Sequence, residues 1–214
     1  MQYLLDFHRS ADGVSIALHL GLEVSMPRPL RFLPAGSVHH VTNRGNDKRT
    51  LFETTRDFEE FLALIAWAKH RATIRITAYC LMRNHWHFAL WPAENGQTQR
   101  FLHLLTTTHA IRRRRITCTI GHGHVYQDRY HAAAIWSEQY YLNVVRYIEA
   151  NPLRANLVSS AAKWRWSSLF ERLGHHRGIL DDGPLTLPAD WPAIVNACQP
   201  QDVVEEIRQD LLKH

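Results

Sequence analysis

Residues 74–91, IRITAYCLMRNHWHFALW, hold two β-rich runs separated only by Arg83-Asn84. A two-residue connection can join antiparallel strands, whereas a parallel pair needs a crossover of a dozen residues or more. The chain is thereby committed to an antiparallel sheet, and its other segments extend it. Gly36 to Thr42 (GSVHHVT) alternates and runs into the turn-rich NRGND, as a strand and its exit loop do. Thr55 to Arg71 carries Phe58, Phe61, Leu62, Ile65, Trp67 and Ala68 at helical spacing. A second helix is predicted over about Thr98 to Arg113, with Phe101, Leu104, Leu105, Thr108 and Ile111 on one side. Tyr130 to Trp136 (YHAAAIW) reads as a fourth strand. Ser137 is the N-cap of a third helix running to Ala150, and Asn151-Pro152 closes it, because the residue before a proline disfavours helical geometry.

The order strand, helix, strand, strand, helix, strand, helix gives an α+β fold. The expected architecture is a ferredoxin-like (RRM-like) antiparallel sheet with helices on one face. Residues 26–170 are expected to form the working domain. Residues 1–25 read as an extension, either an upstream start or a short docked helix. Residues 171–214 form a tail whose polar helix lies near Asp202 to Lys213.

Composition narrows the class. Hydrophobic residues at 45% and charged residues at 21% of 214 supply a core and exclude a disordered chain. Three scattered cysteines, Cys80, Cys118 and Cys198, offer neither a disulfide framework nor a CxxC zinc site, so a reduced, cytoplasmic setting is expected. No run approaches the roughly 20 apolar residues that span a bilayer. The net charge of +5 suits a polyanionic partner, and equally plain solubility.

His85 and His87 project from one face of their strand while Trp86 projects from the other. Two imidazoles with Cα atoms roughly 6–7 Å apart can share a divalent ion. By spacing alone they are equally a hydrogen-bonded pair on a half-exposed sheet. On the third helix Tyr147 and Asn151 stand one turn apart on the same side. Taken alone, Tyr147 reads as a packing residue.

Together these segments resemble the single-tyrosine HUH transposases, and among them the REP-associated tyrosine transposases. The resemblance runs from about Met26 to Phe170. It rests on HHVTNRGND (39–47), LMRNHWHF (81–88), GHVYQDRYH (123–131), YIEANPLRANLV (147–158) and WRWSS (164–168). It implies an HUH endonuclease fold and cleavage of single-stranded DNA. Tyr147 would be the nucleophile, leaving a 5′-phosphotyrosine and a free 3′-hydroxyl. His85, His87 and Asn151 would be the ligands of a divalent metal, Mg²⁺ or Mn²⁺. A phenol with a pKa near 10 is a weak nucleophile at neutral pH, so the phosphate has to be polarised. The chain departs from the family pattern at Arg83, where many relatives carry proline, and at Asn156, where glycine is common. Neither removes a catalytic group.

The partner so implied is single-stranded or hairpin DNA of REP-like repeats, bound by a monomer or homodimer with no membrane role. Arg44, Asn46, Lys48 and Arg49 in the NRGNDKR loop, and Arg83, Arg129 and Arg154 within the matching motifs, are the candidate DNA contacts. Arg112 and Arg113, in the arginine run that ends the second helix, read either as phosphate contacts or as a cationic helix terminus. Trp164 and Trp166 read as packing residues, and His122-Gly123-His124 as a flexible loop. Two rival classes remain at this stage: a non-catalytic nucleic-acid-binding module of the same fold, and a metal-dependent phosphodiesterase that uses water.

Overall fold

The computed structural model describes residues 33–117 and 123–213 in full, and the backbone of residues 7–10, 13–18 and 22–25. The chain divides into two units, Met1–Phe32 and Leu33–His214. In the first, β1 (Phe7–Ser10), β2 (Gly13–Leu18) and β3 (Leu22–Ser25) pair in order as an antiparallel meander. Strands, not a helix, occupy these residues. Val14, Ile16 and Leu18 carry the two-residue period that accounts for β2.

The second unit holds a four-stranded antiparallel sheet of β4 (Val38–Arg44), β5 (Arg75–Met82), β6 (His85–Trp91) and β7 (His131–Ile135), in the order β5-β6-β4-β7. Between β4 and β5 lies α1 (Thr55–Ala72), and between β6 and β7 lies α2 (Gln97–Ile116). This is the split βαβ connectivity of ferredoxin-like folds. The β5–β6 hairpin turns on Arg83-Asn84 and sets Met82 opposite His85 and Cys80 opposite His87. At the start of α1, the Thr54 hydroxyl accepts from Asp57 N while the Asp57 carboxylate accepts from Thr54 N, a closed capping box.

One face of the sheet buries Val41, Tyr79, Leu81, Trp86 and Phe88 against Phe58, Phe61, Phe101 and Leu105 of α1 and α2. Each such side chain, fully buried, contributes roughly 1.5–3 kcal/mol. Trp164 and Trp166 pack here too: Trp166 stacks on Phe58 at 4.7 Å, and Trp164 Nε1 donates to Leu81 O. The inward stripe of α2 differs from its sequence reading. His109 is buried while Ile111 is 49% exposed, because Tyr126 Oη lies 2.7 Å from His109 Nδ1 and satisfies the imidazole within the core.

The opposite face is covered as well, so the expectation of helices on one face is corrected. There α3 (Glu138–Glu149) lies across β5 and β6, followed directly by α4 (Asn151–Arg154) and then α5 (Ser168–Arg172), α6 (Trp191–Asn196) and α7 (Gln201–Leu212). The cause is in β5, where every residue after Arg75 is buried. A strand apolar on both sides requires cover on both sides. Ser137 caps α3 by accepting from Tyr140 N. At Asn151-Pro152 the chain does not leave helical geometry. Ala150 is αR, and Pro152 falls in the first turn of α4, where its missing N–H costs nothing. The tail helix α7 is amphipathic, burying Val204, Ile207 and Leu211 and packing along β7 and β4.

Candidate active site

Sheet register places the two histidines. Thr42 is paired with His87 and Arg44 with His85, so both imidazoles rise from the α3 face, beside Thr42, Arg44 and the buried His40. Trp86 points the other way and is fully buried. The rings of His85 and His87 are 5.2 Å apart at their centroids. From α3, the Tyr147 ring comes edge-on to His87 at 5.7 Å and to His40 at 5.8 Å. His85, His87, Tyr147, Asn151, Arg44 and Arg154 line one cleft of about 620 Å³. The separate motifs of the sequence thus converge on one place.

Hydrogen bonding orients each group. Asn84 donates from Nδ2 to Lys48 O, so its Oδ1 faces His85 Nδ1 at 2.7 Å. That carboxamide oxygen accepts a hydrogen bond from the His85 Nδ1–H, which leaves Nε2 with the lone pair. Gly45 N donates to Asn84 O and holds the same turn. A Cβ at Gly45 would sit 2.2 Å from Arg49 O, so only glycine permits this approach. His87 Nδ1 lies 3.1 Å from His40 Nε2, which likewise leaves its Nε2 free of that contact. Asn151 donates from Nδ2 to the carbonyls of Tyr147 and Ile148, so its Oδ1 is the atom left to coordinate. Arg154 lies over the Tyr147 ring with its guanidinium carbon 4.0 Å from the centroid. Its Nη2 donates to Tyr147 O, and its buried Nη1 has no hydrogen-bond partner among the described residues.

Burial, then the charges of Arg44 and Arg154, pulls the His85 imidazole down to about 4. Burial and the neighbouring imidazoles hold His87 well below its ordinary value. Burial, then Arg154, takes His40 down to about 3. Neutral imidazoles are the form that binds metal. Among the described residues no three His, Cys, Asp or Glu side chains cluster as a metal site. The donor set fits a divalent ion only as two imidazoles plus the Asn151 carboxamide oxygen, a mixed set compatible with Mg²⁺ or Mn²⁺.

The remaining candidates separate. Arg44 and Arg154 enter the cleft. Asn46 is fixed by its backbone N–H to Val125 O, while Lys48, Arg49 and Arg83 are exposed beside the cleft without lining it. Arg113 is turned to α1 and pairs with Glu53 and with Asp57 at 3.6 Å, so carboxylates already hold the charge expected to meet phosphate. Arg112 lies on the same side, near Asp57 and Glu60. Arg129 lines a different groove, as does His124, whereas His122 and Cys118 lie outside the described residues. Sequence reasoning missed two cleft residues, His131 and Arg208, and the buried His40 that contacts His87 behind them. His40 was readable only as one of two strand histidines. His131 shares the His87 face through its pairing with Thr42, and its buried Nδ1 has no hydrogen-bond partner among the described residues. Arg208 arrives from the tail on α7.

A sequence profile described as "Transposase IS200 like" matches residues 36–151, more than half of the chain. The chain belongs to the IS200-like transposase family. This makes it an enzyme of the transposase and endonuclease class. The matched span begins just before β4 and ends at Asn151, so it carries every sequence-predicted metal ligand and Tyr147. No curated protein matches. Among solved structures, a REP-associated tyrosine transposase bound to a REP hairpin has the same fold. Its TM-score is 0.54 at 19% identity, over 77% of this chain and 96% of that one. A candidate transposase from Deinococcus radiodurans R1 aligns over 58% of this chain and 96% of that one, at TM-score 0.39 and 14% identity, too distantly to bear on the argument. Among the described residues no helix is long and apolar enough to cross a membrane.

Proposed function

We propose that this IS200-like transposase is a REP-associated tyrosine transposase that cuts and rejoins single-stranded DNA beside a hairpin, with Tyr147 as nucleophile. One observation carries the reading: Tyr147 stands against His87 under the Arg154 guanidinium, in the same cleft as His85 and Asn151. A buried tyrosine meant only for packing needs neither a cation over its ring nor two imidazoles at its edge.

In the forward step the Tyr147 oxygen bonds to the scissile phosphorus and the bond to the 3′-oxygen breaks. The phenol proton leaves to solvent and the 3′-oxygen gains one. The product is a 5′-phosphotyrosine with a free 3′-hydroxyl, and the conserved bond energy lets a second 3′-hydroxyl reverse the step without ATP. A divalent ion held by His85, His87 and Asn151 would supply Lewis-acid polarisation of the phosphate. Asn84 holds the His85 imidazole in the tautomer this requires, and His40 orients the His87 ring. Arg154 neutralises charge around the phenol, and its unpartnered Nη1 is a donor for a phosphate oxygen. Arg44 and Arg208 add cationic walls. The hairpin bound in the structural relative supports hairpin DNA as the substrate class.

The test is a denaturing gel with end-labelled hairpin DNA carrying single-stranded flanks, in Mg²⁺ or Mn²⁺. A metal-dependent, slow-migrating adduct that is lost in Tyr147→Phe and His85→Ala supports the reading. Cleavage that survives Tyr147→Phe establishes water as the nucleophile and refutes it.

A further inference from the structure

The cross-strand row through Thr42 ends on a histidine. Thr42 pairs with His87 of β6 on one side and with His131 of β7 on the other. The two imidazoles therefore rise from the same face with Thr42 between them, their Cα atoms roughly 10 Å apart by strand spacing. His131 is half-buried and lines the catalytic cleft, and its buried Nδ1 has no hydrogen-bond partner among the described residues. Such a nitrogen calls for a partner, and in a cleft a bound group can supply it. The helices over this face divide the cleft. The α3 helix crosses β5 and β6 and brings Tyr147 against His87 and His40, whereas α7 packs on β7 and β4. Tyr147 thus enters the cleft from the β6 side and His131 from the β7 side.

We propose that His131 is a further catalytic residue, the proton carrier for the 3′-oxygen of the scissile phosphodiester. This rests on the proposed function. In an in-line displacement the attacking and leaving oxygens lie on opposite sides of the phosphorus, so a nucleophile from the β6 side calls for a partner to the leaving oxygen on the β7 side. In the forward step the Tyr147 oxygen bonds to phosphorus and the bond to the 3′-oxygen breaks. That oxygen takes the proton of the His131 imidazolium as it leaves, and the neutral ring regains a proton from solvent. In rejoining, the neutral ring takes the proton of the attacking 3′-hydroxyl while the phosphotyrosine bond breaks and the phenol is reprotonated from solvent. The other described groups of the cleft do not suit this task. Guanidiniums keep their protons at neutral pH, which sets aside Arg44, Arg154 and Arg208, and a carboxylate such as Asp128 only accepts. Burial keeps His85 and His87 neutral, and in the proposed function their lone pairs go to the ion. The Thr42 hydroxyl already donates to Trp86 O. Imidazole is the side chain whose ordinary titration spans the physiological range, so it both gives and takes a proton there.

The experiment compares the full chain with its His131→Gln and His131→Ala variants, each checked for the parent's melting temperature, with Mn²⁺ affinity read by calorimetry. Two hairpin DNAs with single-stranded flanks serve as substrates in Mn²⁺. They are identical except that one carries sulfur in place of the 3′-oxygen at the bond the parent cuts. A thiolate leaves without needing a proton, so only the oxygen substrate depends on an acid. Single-turnover adduct formation on the oxygen substrate should slow by about 100-fold or more in both variants, the usual loss for a positioned proton carrier. On the sulfur substrate both variants should react at the parent's rate. Rejoining from a 3′-hydroxyl should slow by the same factor as cleavage, because the same proton travels back. An equal loss on both substrates, an unchanged rate on the oxygen substrate, or weakened Mn²⁺ binding overturns the assignment; the first makes His131 structural and the last makes it a metal ligand. If the parent forms no adduct on the oxygen substrate, the proposed function itself fails, and His131 loses its role with it.

Discussion

The Nε2 of His40 lies 3.1 Å from the Nδ1 of His87, and both rings meet Tyr147. His40 is therefore a positioning residue that sets which His87 nitrogen faces the cleft. His40→Ala should weaken Mn²⁺ binding, read by calorimetry, by about 10- to 100-fold, the effect usual for removing an outer partner of a ligand. Unchanged Mn²⁺ affinity in a folded variant would sink this assignment.

Arg154 should be irreplaceable even by lysine, since its fork both spans the Tyr147 ring and bonds Tyr147 O. Arg154→Lys should slow single-turnover adduct formation by about 100-fold, comparable to deleting a charge-stabilising donor. A DNA affinity change that accounts for the whole loss would reduce Arg154 to a binding residue.

Acid should destabilise the fold through His109. Burial, followed by the charge of Arg113, pulls this imidazole down to about 4, against an ordinary value near 6.5. Between those values the unfolded chain takes up a proton that the folded chain refuses. The stability is thus present above pH 6.5 and is lost as pH falls towards 4. Melting temperature measured across this window should fall less steeply in His109→Gln, and identical slopes would contradict the account.

Glu149 should govern the stability of the helix that carries Tyr147. Its fully buried carboxylate accepts from Ser168 Oγ, Arg172 Nε and Trp191 Nε1, tying α3 to α5 and α6. Glu149→Ala leaves Arg172 Nε and Trp191 Nε1 without an acceptor, Ser168 Oγ retaining Tyr79 O, and should cost about 3–5 kcal/mol in denaturant unfolding. A cost below 1 kcal/mol would show that the network does not anchor α3.

Much of this was readable from residues 36–151, where strand and helix periods are strong and connections short. The β5–β6 hairpin was fixed by its two-residue turn, and the His85/His87 face followed from alternation alone. The apolar run IRITAYCLM carried the signal for cover on both faces, but periodicity does not say what supplies the second cover. Here α3, α4 and α5 do, through contacts more than 50 residues away in sequence. His40 was hidden because a strand histidine announces its role only once its cross-strand neighbour is known. Ile111 and His109 exchanged places because the partner that makes a core histidine tolerable, Tyr126, sits on a different segment.

The most direct test of the central claim is the site of covalent attachment. Protein trapped on labelled DNA is digested with nuclease and trypsin, and the peptide retaining nucleotide is sequenced by mass spectrometry. The account predicts a phosphonucleotide on Tyr147, in the tryptic peptide YIEANPLR of residues 147–154. A nucleotide on any other residue, or DNA cut with no linked peptide, would contradict it.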